Sequence, residues 1–221
     1  MKSVPEVCEL IRSGKNDEFE RALNESPDLA EQKTDQGISL LSYAAYCRNP
    51  VATESIRTRK RQIDVFEAAA IGDSAEVRDF VKHHPDQINT FSSDGFTLLG
   101  LSCFFGHEEM ARYLVERGAD ANRASNNSFK VTPLHSACAV SNYAIVELLL
   151  QHGAQVNLSQ QSGVTPLHTA AHLGQSRLAE LLIKSGANIN ATLDDGRTPF
   201  ALAEEKGFTE TADLLQKHGA H

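Results

Sequence analysis

Cysteine and aromatic residues are scarce in this sequence, and tryptophan is absent. The four cysteines, Cys8, Cys47, Cys103 and Cys138, form no C-x-x-C pair. This usage fits free thiols in a reducing compartment better than a disulfide-rich secreted domain. Aromatic residues make up only 6% of the chain, which suits helices packed through small side chains better than a β-sandwich.

Long apolar runs and an excess of basic charge are absent as well. No run approaches the roughly 18 apolar residues of a membrane-spanning helix, and residues 1–20 lack the apolar core of a secretory signal. We therefore expect a cytoplasmic protein with no membrane partner. The formal net charge is −8, so we also expect no nucleic-acid partner.

A short motif recurs along the second half of the chain. Thr132-Pro133-Leu134-His135 is matched by Thr165-Pro166-Leu167-His168, and Thr198-Pro199-Phe200-Ala201 is a decayed copy. Successive copies are about 33 residues apart, a spacing typical of stacked helical repeats. In the two full copies Pro can occupy the first helical turn, where its missing N–H has no partner to lose. The preceding Thr can cap that helix through its hydroxyl group.

Glycines mark the opposite end of each predicted helix pair. Gly118, Gly153 and Gly186 follow the second helix of three successive repeats. Glycine is the residue expected there because the backbone needs a positive φ to leave the helix.

These features resemble the ankyrin repeat family. The resemblance covers nearly the whole chain, although it is weaker in residues 1–89 than in residues 94–221. It implies an all-α ankyrin-repeat solenoid of about seven stacked helix-turn-helix units with short β-hairpin finger loops. The predicted units are an N-terminal capping repeat at 1–33, repeats at 34–63, 64–93 (lacking a full finger), 94–126, 127–159 and 160–192, and a C-terminal capping repeat at 193–221. An alternative count of six treats residues 1–28 as a helical cap.

One finger loop is longer than the others. The interval from Thr97 to Thr132 exceeds the two later intervals by two residues, and these fall in the loop at 126–130. Insertions in repeat arrays lie on loops of one face, often the binding face. The longer finger is therefore a candidate functional elaboration.

The sequence contains no complete catalytic or metal-binding motif. His135 and His168 occupy the same repeat position, and the resemblance implies that each braces its turn by bonding to the nearby Thr. His107-Glu108-Glu109-Met110-Ala111 lacks the second His of a zinc-protease helix. We assign no catalytic, cofactor-binding or metal-binding residue, and we expect a protein without enzymatic activity.

The resemblance implies a partner-binding surface on the concave face, built from finger tips and the ends of the first helices. Transferred position by position, the candidate protein-binding residues are Tyr46, Ser93, Asp94, Phe96, Phe104, Phe105, Phe129, Lys130, Val140, Gln161, Ser162, Val164, His172, Leu173, Asp194, Asp195 and Arg197. Two interpretations of Phe96, Phe104 and Phe105 stay open, because each can be an exposed anchor or can pack against a neighbouring repeat.

We expect a monomeric protein–protein interaction scaffold or adaptor whose partner protein the sequence does not identify. The alternative is a regulatory or accessory subunit that docks on an enzyme and inhibits or protects it. Two smaller questions also stay open. The cations at 57–61 can form a solvated helix end or a patch for an acidic partner. Asn122, Asn157 and Asn190, at matching repeat positions, can stabilise turns or, as in some members of the family, be hydroxylated.

Overall fold

The computed structural model describes residues 2–221, and this part of the chain is all-helical. It contains fourteen α-helices and three short 3₁₀ segments, with two isolated antiparallel bridges and no β-strand in the described part. The chain divides into two compact units. The N-terminal unit comprises residues 2–85 and 92–94, and the C-terminal unit comprises residues 86–91 and 95–221.

The N-terminal unit consists of three consecutive helix pairs. Its helices are α1 (Val4–Arg12), α2 (Asn16–Glu25), α3 (Leu40–Tyr46), α4 (Pro50–Arg57), α5 (Val65–Ile71) and α6 (Ser74–His83). The two helices of each pair pack on each other, and α3 also packs between α1 and α5. The main core cluster of this unit is formed by α1–α4 and the segment that follows α2, with Phe19, Leu23, Leu40 and Ile56 fully buried.

The C-terminal unit consists of four further helix pairs. Its helices are α7 (Leu98–Phe105), α8 (Glu108–Glu116), α9 (Pro133–Ala139), α10 (Tyr143–Gln151), α11 (Pro166–His172), α12 (Ser176–Lys184), α13 (Pro199–Glu205) and α14 (Thr209–Lys217). The first helices of the pairs, α7, α9, α11 and α13, pack on one another in chain order. We call them the inner helices, and the second helices of the pairs the outer helices.

The helix ends follow the sequence signals. The Thr132 and Thr165 hydroxyl groups accept hydrogen bonds from the backbone N–H groups of His135 and His168, at 3.4 Å each. Pro occupies the first turn of α9, α11 and α13. The glycines that follow α8, α10 and α12 have φ values of 92°, 82° and 89°. Capping thus begins each of these inner helices, and glycine releases the chain from each outer helix, as the sequence predicts.

The finger loops close as tight turns. In the N-terminal unit the backbone N–H of Thr34 donates to the carbonyl of Ile38 at 2.8 Å. In the C-terminal unit Gln160 donates to Val164 and Leu193 to Arg197, at 2.9 Å in both cases. Each of these closures spans five residues, which leaves almost no room for paired strands.

The helix α4 is shorter than the sequence pattern predicts. We expected it to run to about Arg61, but it ends at Arg57 because the chain tightens into a turn in which Arg59 and Lys60 both donate to the carbonyl of Ile56. The cations of this segment all contact carboxylates: Arg57 bonds to Glu54, Arg59 to Glu20, Lys60 to Glu31 and Glu67, and Arg61 to Asp28. This pairing favours the interpretation of the cluster as a neutralised helix end.

Candidate functional site

Backbone hydrogen bonds join successive fingers of the C-terminal unit into a row. Asn126 donates to the carbonyl of Gly95 at 2.7 Å, and Gln161 donates to the carbonyl of Phe129 at 2.9 Å. Asp194 continues the series by donating to the carbonyl of Ser162 at 3.1 Å. The finger tips are therefore fixed relative to one another, and their side chains form one surface.

The long finger is closed by Ser125 and Val131. The Ser125 N–H donates to the Val131 carbonyl at 2.8 Å, and the Ser125 hydroxyl accepts from the Val131 N–H at 2.9 Å. This closure spans seven residues instead of five. At its tip the Phe129 side chain is 58% exposed, and Lys130 is exposed as well.

The ends of the inner helices supply a second line of candidate residues. His172 and Leu173 are exposed at the end of α11, with Leu173 42% exposed, and Val140 is half-buried at the end of α9. At the end of α7 the rings of Phe104 and Phe105 meet edge to face, with centroids 5.2 Å apart. Both rings are half-buried, so they combine packing with partial accessibility.

The remaining candidates differ in exposure from one loop to the next. Phe96 and Val164 are half-buried, whereas Gln161 and Ser162 are exposed. The finger at 160–164 thus offers mainly uncharged polar side chains.

The last finger carries an exposed ion-pair network. The Arg197 guanidinium lies 2.7 Å from the Asp195 carboxylate and 3.2 Å from the Glu205 carboxylate. Hydrogen bonds from Arg197 lower the pKa of Asp195 below its ordinary value. Asp194, next to this network, is also exposed. This end of the finger row is therefore polar and charged.

Three candidate residues belong to the N-terminal unit instead. The Tyr46 hydroxyl donates to Asp94 Oδ2 at 2.7 Å, and the Ser93 hydroxyl donates to the Gly37 carbonyl at 3.0 Å. Burial, followed by the bond to Asp94, raises the pKa of Tyr46. The Tyr46 hydroxyl thus has an internal partner, so the seventeen candidates form two sets, one in each unit.

The two motif histidines are structural braces, but they are not equivalent. His135 Nδ1 lies 2.8 Å from the Thr132 hydroxyl, and His135 Nε2 lies 2.9 Å from the carbonyl of Val164 in the next repeat. Because a carbonyl only accepts, Nε2 carries the proton and Nδ1 accepts from Thr132. His168 keeps the 2.8 Å contact with Thr165, and its buried Nε2 makes no hydrogen bond of good geometry within residues 2–221, although the backbone of Arg197 and Ala191 in the next repeat acts to raise its pKa.

Burial favours the neutral form of both imidazoles, because it lowers their pKa. Burial lowers the pKa of His135 to about 4, although its bond to the Val164 backbone opposes the shift. Burial also lowers the pKa of His168. Neither residue is placed to act as an acid or base, because both rings are enclosed by the repeat stack.

Burial also raises the pKa of cysteine thiols in both units. Cys103 and Cys138 are buried and unpaired, and burial raises the pKa of both thiols, which suppresses the reactive thiolate. Cys8 lies half-buried with Arg12 and Tyr43 at an open cavity of about 360 Å³ in the N-terminal unit, and burial raises its pKa too. Within residues 2–221 no group of His, Cys, Asp and Glu side chains is arranged to hold a metal ion.

The asparagines that end successive repeats bind to the next repeat rather than within their own turn. The Asn122 side chain donates to the Gly153 carbonyl at 3.0 Å and accepts from the Gln155 N–H at 2.7 Å. Asn157 repeats the pattern with Gly186 and Asn188, and Asn190 repeats it with Gly219 and His221. Their amides are therefore structural connectors between repeats.

One exposed aromatic escaped the sequence-based assignment. Phe208 precedes α14, at the position held by Asn142 before α10 and Gln175 before α12. Its ring covers Gly174 so closely that a Cβ atom on that glycine would lie 2.5 Å from the ring. A large apolar residue at a position otherwise occupied by polar residues is the signal that could have identified it.

No helix in the described part of the chain combines the length and the apolar character needed to cross a membrane. The helices of this molecule are short, and each outer helix carries charged residues.

Comparison with known proteins places these repeats in a family. Two models described as ankyrin repeats match residues 65–160 and 149–203. The E3 ubiquitin-protein ligase Ufd4 of Drosophila melanogaster is 32% identical over 111 residues, which is 50% of this chain and 4% of that protein. Ankyrin repeat and SAM domain-containing protein 6 of Rattus norvegicus is 32% identical over 117 residues, 52% of this chain and 13% of the relative.

A third relative extends the same pattern. Ankyrin repeat and SOCS box protein 16 of Mus musculus is 35% identical over 104 residues, 43% of this chain and 22% of that protein. The chain thus corresponds to a small part of each of these relatives. Ankyrin repeats are in general protein–protein interaction modules. The helix pairs, the Thr-capped inner helices and the two matching family models together show that this chain belongs to the ankyrin repeat family.

Proposed function

We propose that this chain is a scaffold or adaptor that binds a partner protein through the finger tips and inner-helix ends of its C-terminal unit. The surface is defined by Phe129, Lys130, Gln161, Ser162, His172, Leu173, Asp194, Asp195 and Arg197. We call it the finger surface. The proposal takes the array as seven repeat units with finger loops between them, acting as a monomer in the cytoplasm without catalysis and without a nucleic-acid partner.

The observation that supports this proposal is the exposure of large apolar side chains at the fingers and inner-helix ends. Among the described residues, the large hydrophobic side chains that are exposed are Val51, Phe129, Leu173 and Phe208. Phe129 and Leu173 belong to the finger surface, and the charged and polar side chains around them provide a rim. Apolar anchors within a polar rim are the usual composition of a protein interface.

Affinity capture with a matched control tests the proposal. The full chain is immobilised, and proteins bound from an extract of its native host are identified by mass spectrometry. The double variant His172→Ala, Leu173→Ser should lose the specific partner, because it removes an apolar anchor and its neighbour. Val51→Ser removes an equally exposed apolar side chain (46% exposed) on α4, and this variant should retain the partner.

The outcome also separates folding from binding. Circular dichroism of each variant should show unchanged helical content, since all three side chains are exposed. Retention of every partner by the double variant, or equal loss in both variants, would contradict binding through the finger surface. In a parallel Phe104→Ala, Phe105→Ala variant, loss of helical content would identify the two rings as core.

The alternative role as a regulatory or accessory subunit makes a narrower prediction. The captured protein should then be an enzyme, and addition of the purified chain should inhibit it or slow its inactivation. A captured set of varied, non-enzymatic proteins would favour the scaffold or adaptor.

A further inference from the structure

We propose that the long finger at 125–131 is the anchor of the finger surface and that it binds a linear partner segment carrying a carboxylate beside a large apolar side chain. This inference rests on the proposed function and adds to it the chemistry of the partner. Four features carry it: the exposed ring of Phe129, the rigidity of the loop, the conformation of Lys130 and the local distribution of charge.

The loop that carries Phe129 is fixed on both sides. The Phe129 N–H donates to Asn127 Oδ1 at 3.1 Å, and the Phe129 carbonyl accepts from Gln161 at 2.9 Å. The Asn127 side chain is held in turn by the Ser125 hydroxyl at 2.8 Å. An aromatic side chain displayed on an ordered backbone loses little conformational freedom on binding, which is the property of an effective anchor.

Lys130 occupies a backbone position that other fingers give to glycine. It directly follows the tip and has φ of 55°. The corresponding residues in four other fingers are Gly37, Gly95, Gly163 and Gly196, all with positive φ. A lysine in this region carries a backbone strain that glycine would avoid. We infer that the ammonium group at this position has a use that glycine cannot supply.

The stretch of sequence that carries the long finger is basic, whereas the whole chain is acidic. The chain has a net charge of −8, yet no Asp or Glu occurs between Asp120 and Glu147, a stretch that contains Arg123 and Lys130. Arg123 lies over the ring of Phe91, with its Cζ 4.9 Å from the ring centroid. Lys130 forms no ion pair within residues 2–221. The neighbouring finger tip offers the uncharged Gln161 and Ser162.

The exposed Phe129 ring and the adjacent Lys130 cation together indicate the chemistry of the partner segment. An unpaired cation next to an exposed aromatic ring favours a carboxylate next to an apolar group, because both contacts form together and the uncharged finger at 160–164 adds no competing anion. A basic segment would instead be favoured at the far end of the row, near Asp194.

A displayed library of random 15-residue peptides tests the assignment. The biotinylated full chain is panned in solution, and enriched peptides are sequenced and measured by fluorescence anisotropy. We expect peptides with Asp or Glu within a few residues of a Leu, Ile, Phe or Trp. Phe129→Ser should raise the Kd of these peptides by on the order of tenfold or more, as expected for the loss of an interface anchor.

Two Lys130 variants separate charge from backbone geometry. Lys130→Gly keeps the backbone conformation and removes the charge, so it should weaken binding by a few fold and abolish most of its salt dependence. Lys130→Glu should weaken binding further and shift a repeated selection toward basic peptides. Val51→Ser serves as the exposed apolar control and should leave the Kd unchanged.

Several results would overturn the proposal while leaving the proposed function intact. Enriched peptides could prove basic, or they could respond to Leu173→Ser and not to the Phe129 and Lys130 variants. Failure to enrich any peptide, with partner proteins still captured through His172 and Leu173, would exclude a linear acidic segment. Sedimentation of a dimer that dissociates in Phe129→Ser would identify a second copy of the chain as the occupant instead. If the unmodified chain enriches no peptide and captures no partner protein, the proposed function is rejected as well.

Discussion

In each of the two units a buried polar side chain braces the start of a helix, but the side chain is a carboxylate in one unit and an imidazole in the other. Glu67 in the N-terminal unit and His135 in the C-terminal unit both stand three residues after the residue that caps an inner helix, and both are buried. The Glu67 carboxylate accepts a hydrogen bond at 2.9 Å from the N–H of Asp64, the residue that caps its helix. His135 also bonds to its cap, because its Nδ1 accepts from the Thr132 hydroxyl at 2.8 Å, and in addition its Nε2 donates to the carbonyl of Val164 in the following repeat.

The buried carboxylate of Glu67 requires a cation beside it, whereas the buried neutral imidazole of His135 does not. Lys60 Nζ lies 3.1 Å from Glu67 and 3.4 Å from Glu31, and its side chain is only 7% exposed. A buried charge needs such partners because water no longer solvates it. The neutral brace therefore recurs in two repeats, at His135 and His168, whereas the charged brace depends on a particular lysine elsewhere in the chain.

Removal of that lysine should give the largest effect. Lys60→Met leaves the Glu67 carboxylate buried without its cation, so we expect the free energy of unfolding of the N-terminal unit to fall by about 3 kcal/mol. Hydrogen exchange followed by mass spectrometry can assign the loss to this unit, and urea unfolding measures it.

Two controls sharpen the Lys60 experiment. Arg61→Met removes an ion pair with Asp28 that is almost fully exposed, and it should change stability by less than about 0.5 kcal/mol. The double variant Lys60→Met, Glu67→Gln should recover much of the lost stability. Equal effects of Lys60→Met and Arg61→Met would show that the buried network does not support the fold.

The neutral brace should be sensitive to acid. Burial lowers the pKa of His135 from 6.5 to about 4, so between these values the unfolded chain takes up a proton that the folded chain does not. Stability from this residue is therefore complete above about pH 6.5 and falls as the pH approaches 4, by about 3 kcal/mol in total. Urea unfolding of the protein and of His135→Gln across this range isolates the contribution. Parallel pH profiles for the two proteins would contradict it.

The two histidines offer a finer comparison within the C-terminal unit. His135→Ala and His168→Ala remove the same side chain from the same repeat position, but His135 makes a 2.9 Å hydrogen bond to the next repeat through Nε2, whereas His168 interacts with the backbone of Arg197 and Ala191 without a bond of comparable geometry. We expect His135→Ala to be more destabilising by about 1 kcal/mol, the net contribution of one such hydrogen bond. Thermal and urea unfolding of both variants provide the measurement. A larger loss in His168→Ala would reverse the assignment.

The smallest effect concerns the fingers. Lys130→Gly relieves a positive φ that glycine adopts without strain, so we expect a gain in stability of about 0.5–1 kcal/mol. Lys130→Ala removes the same charge and keeps the strain, and it should give no such gain. Equal stability of the two variants would show that the backbone at this position is not strained.

The helices and their caps could be predicted from the sequence because local signals determine them. The apolar spacing in α1 and the Thr-Pro pairs at the start of α9 and α11 place those elements where the structure has them. Long-range pairs carry no such signal. The burial of Lys60 depends on Glu31 and Glu67, which come from separate loops and helices, and lysine is normally solvated.

The positions of the candidate site residues in the repeats could be predicted from the sequence, but the contacts that their side chains make could not. The repeat register indicates which residues lie at finger tips, and it exposes the two-residue insertion before Val131. It does not reveal that the Tyr46 hydroxyl binds Asp94 or that the rings of Phe104 and Phe105 meet edge to face. These features depend on how individual side chains fill space between repeats, which periodicity does not specify.

The asparagine connectors have a consequence for how this protein can change. The side-chain amide of Asn122 reaches a glycine carbonyl 31 residues ahead, whereas those of Asn157 and Asn190 reach carbonyls 29 residues ahead. The bond lengths are nonetheless 3.0, 3.0 and 3.1 Å. The two inserted residues therefore leave the spacing of the helices untouched. A loop at this point can therefore differ in length by two residues while the asparagine bonds between repeats keep their lengths.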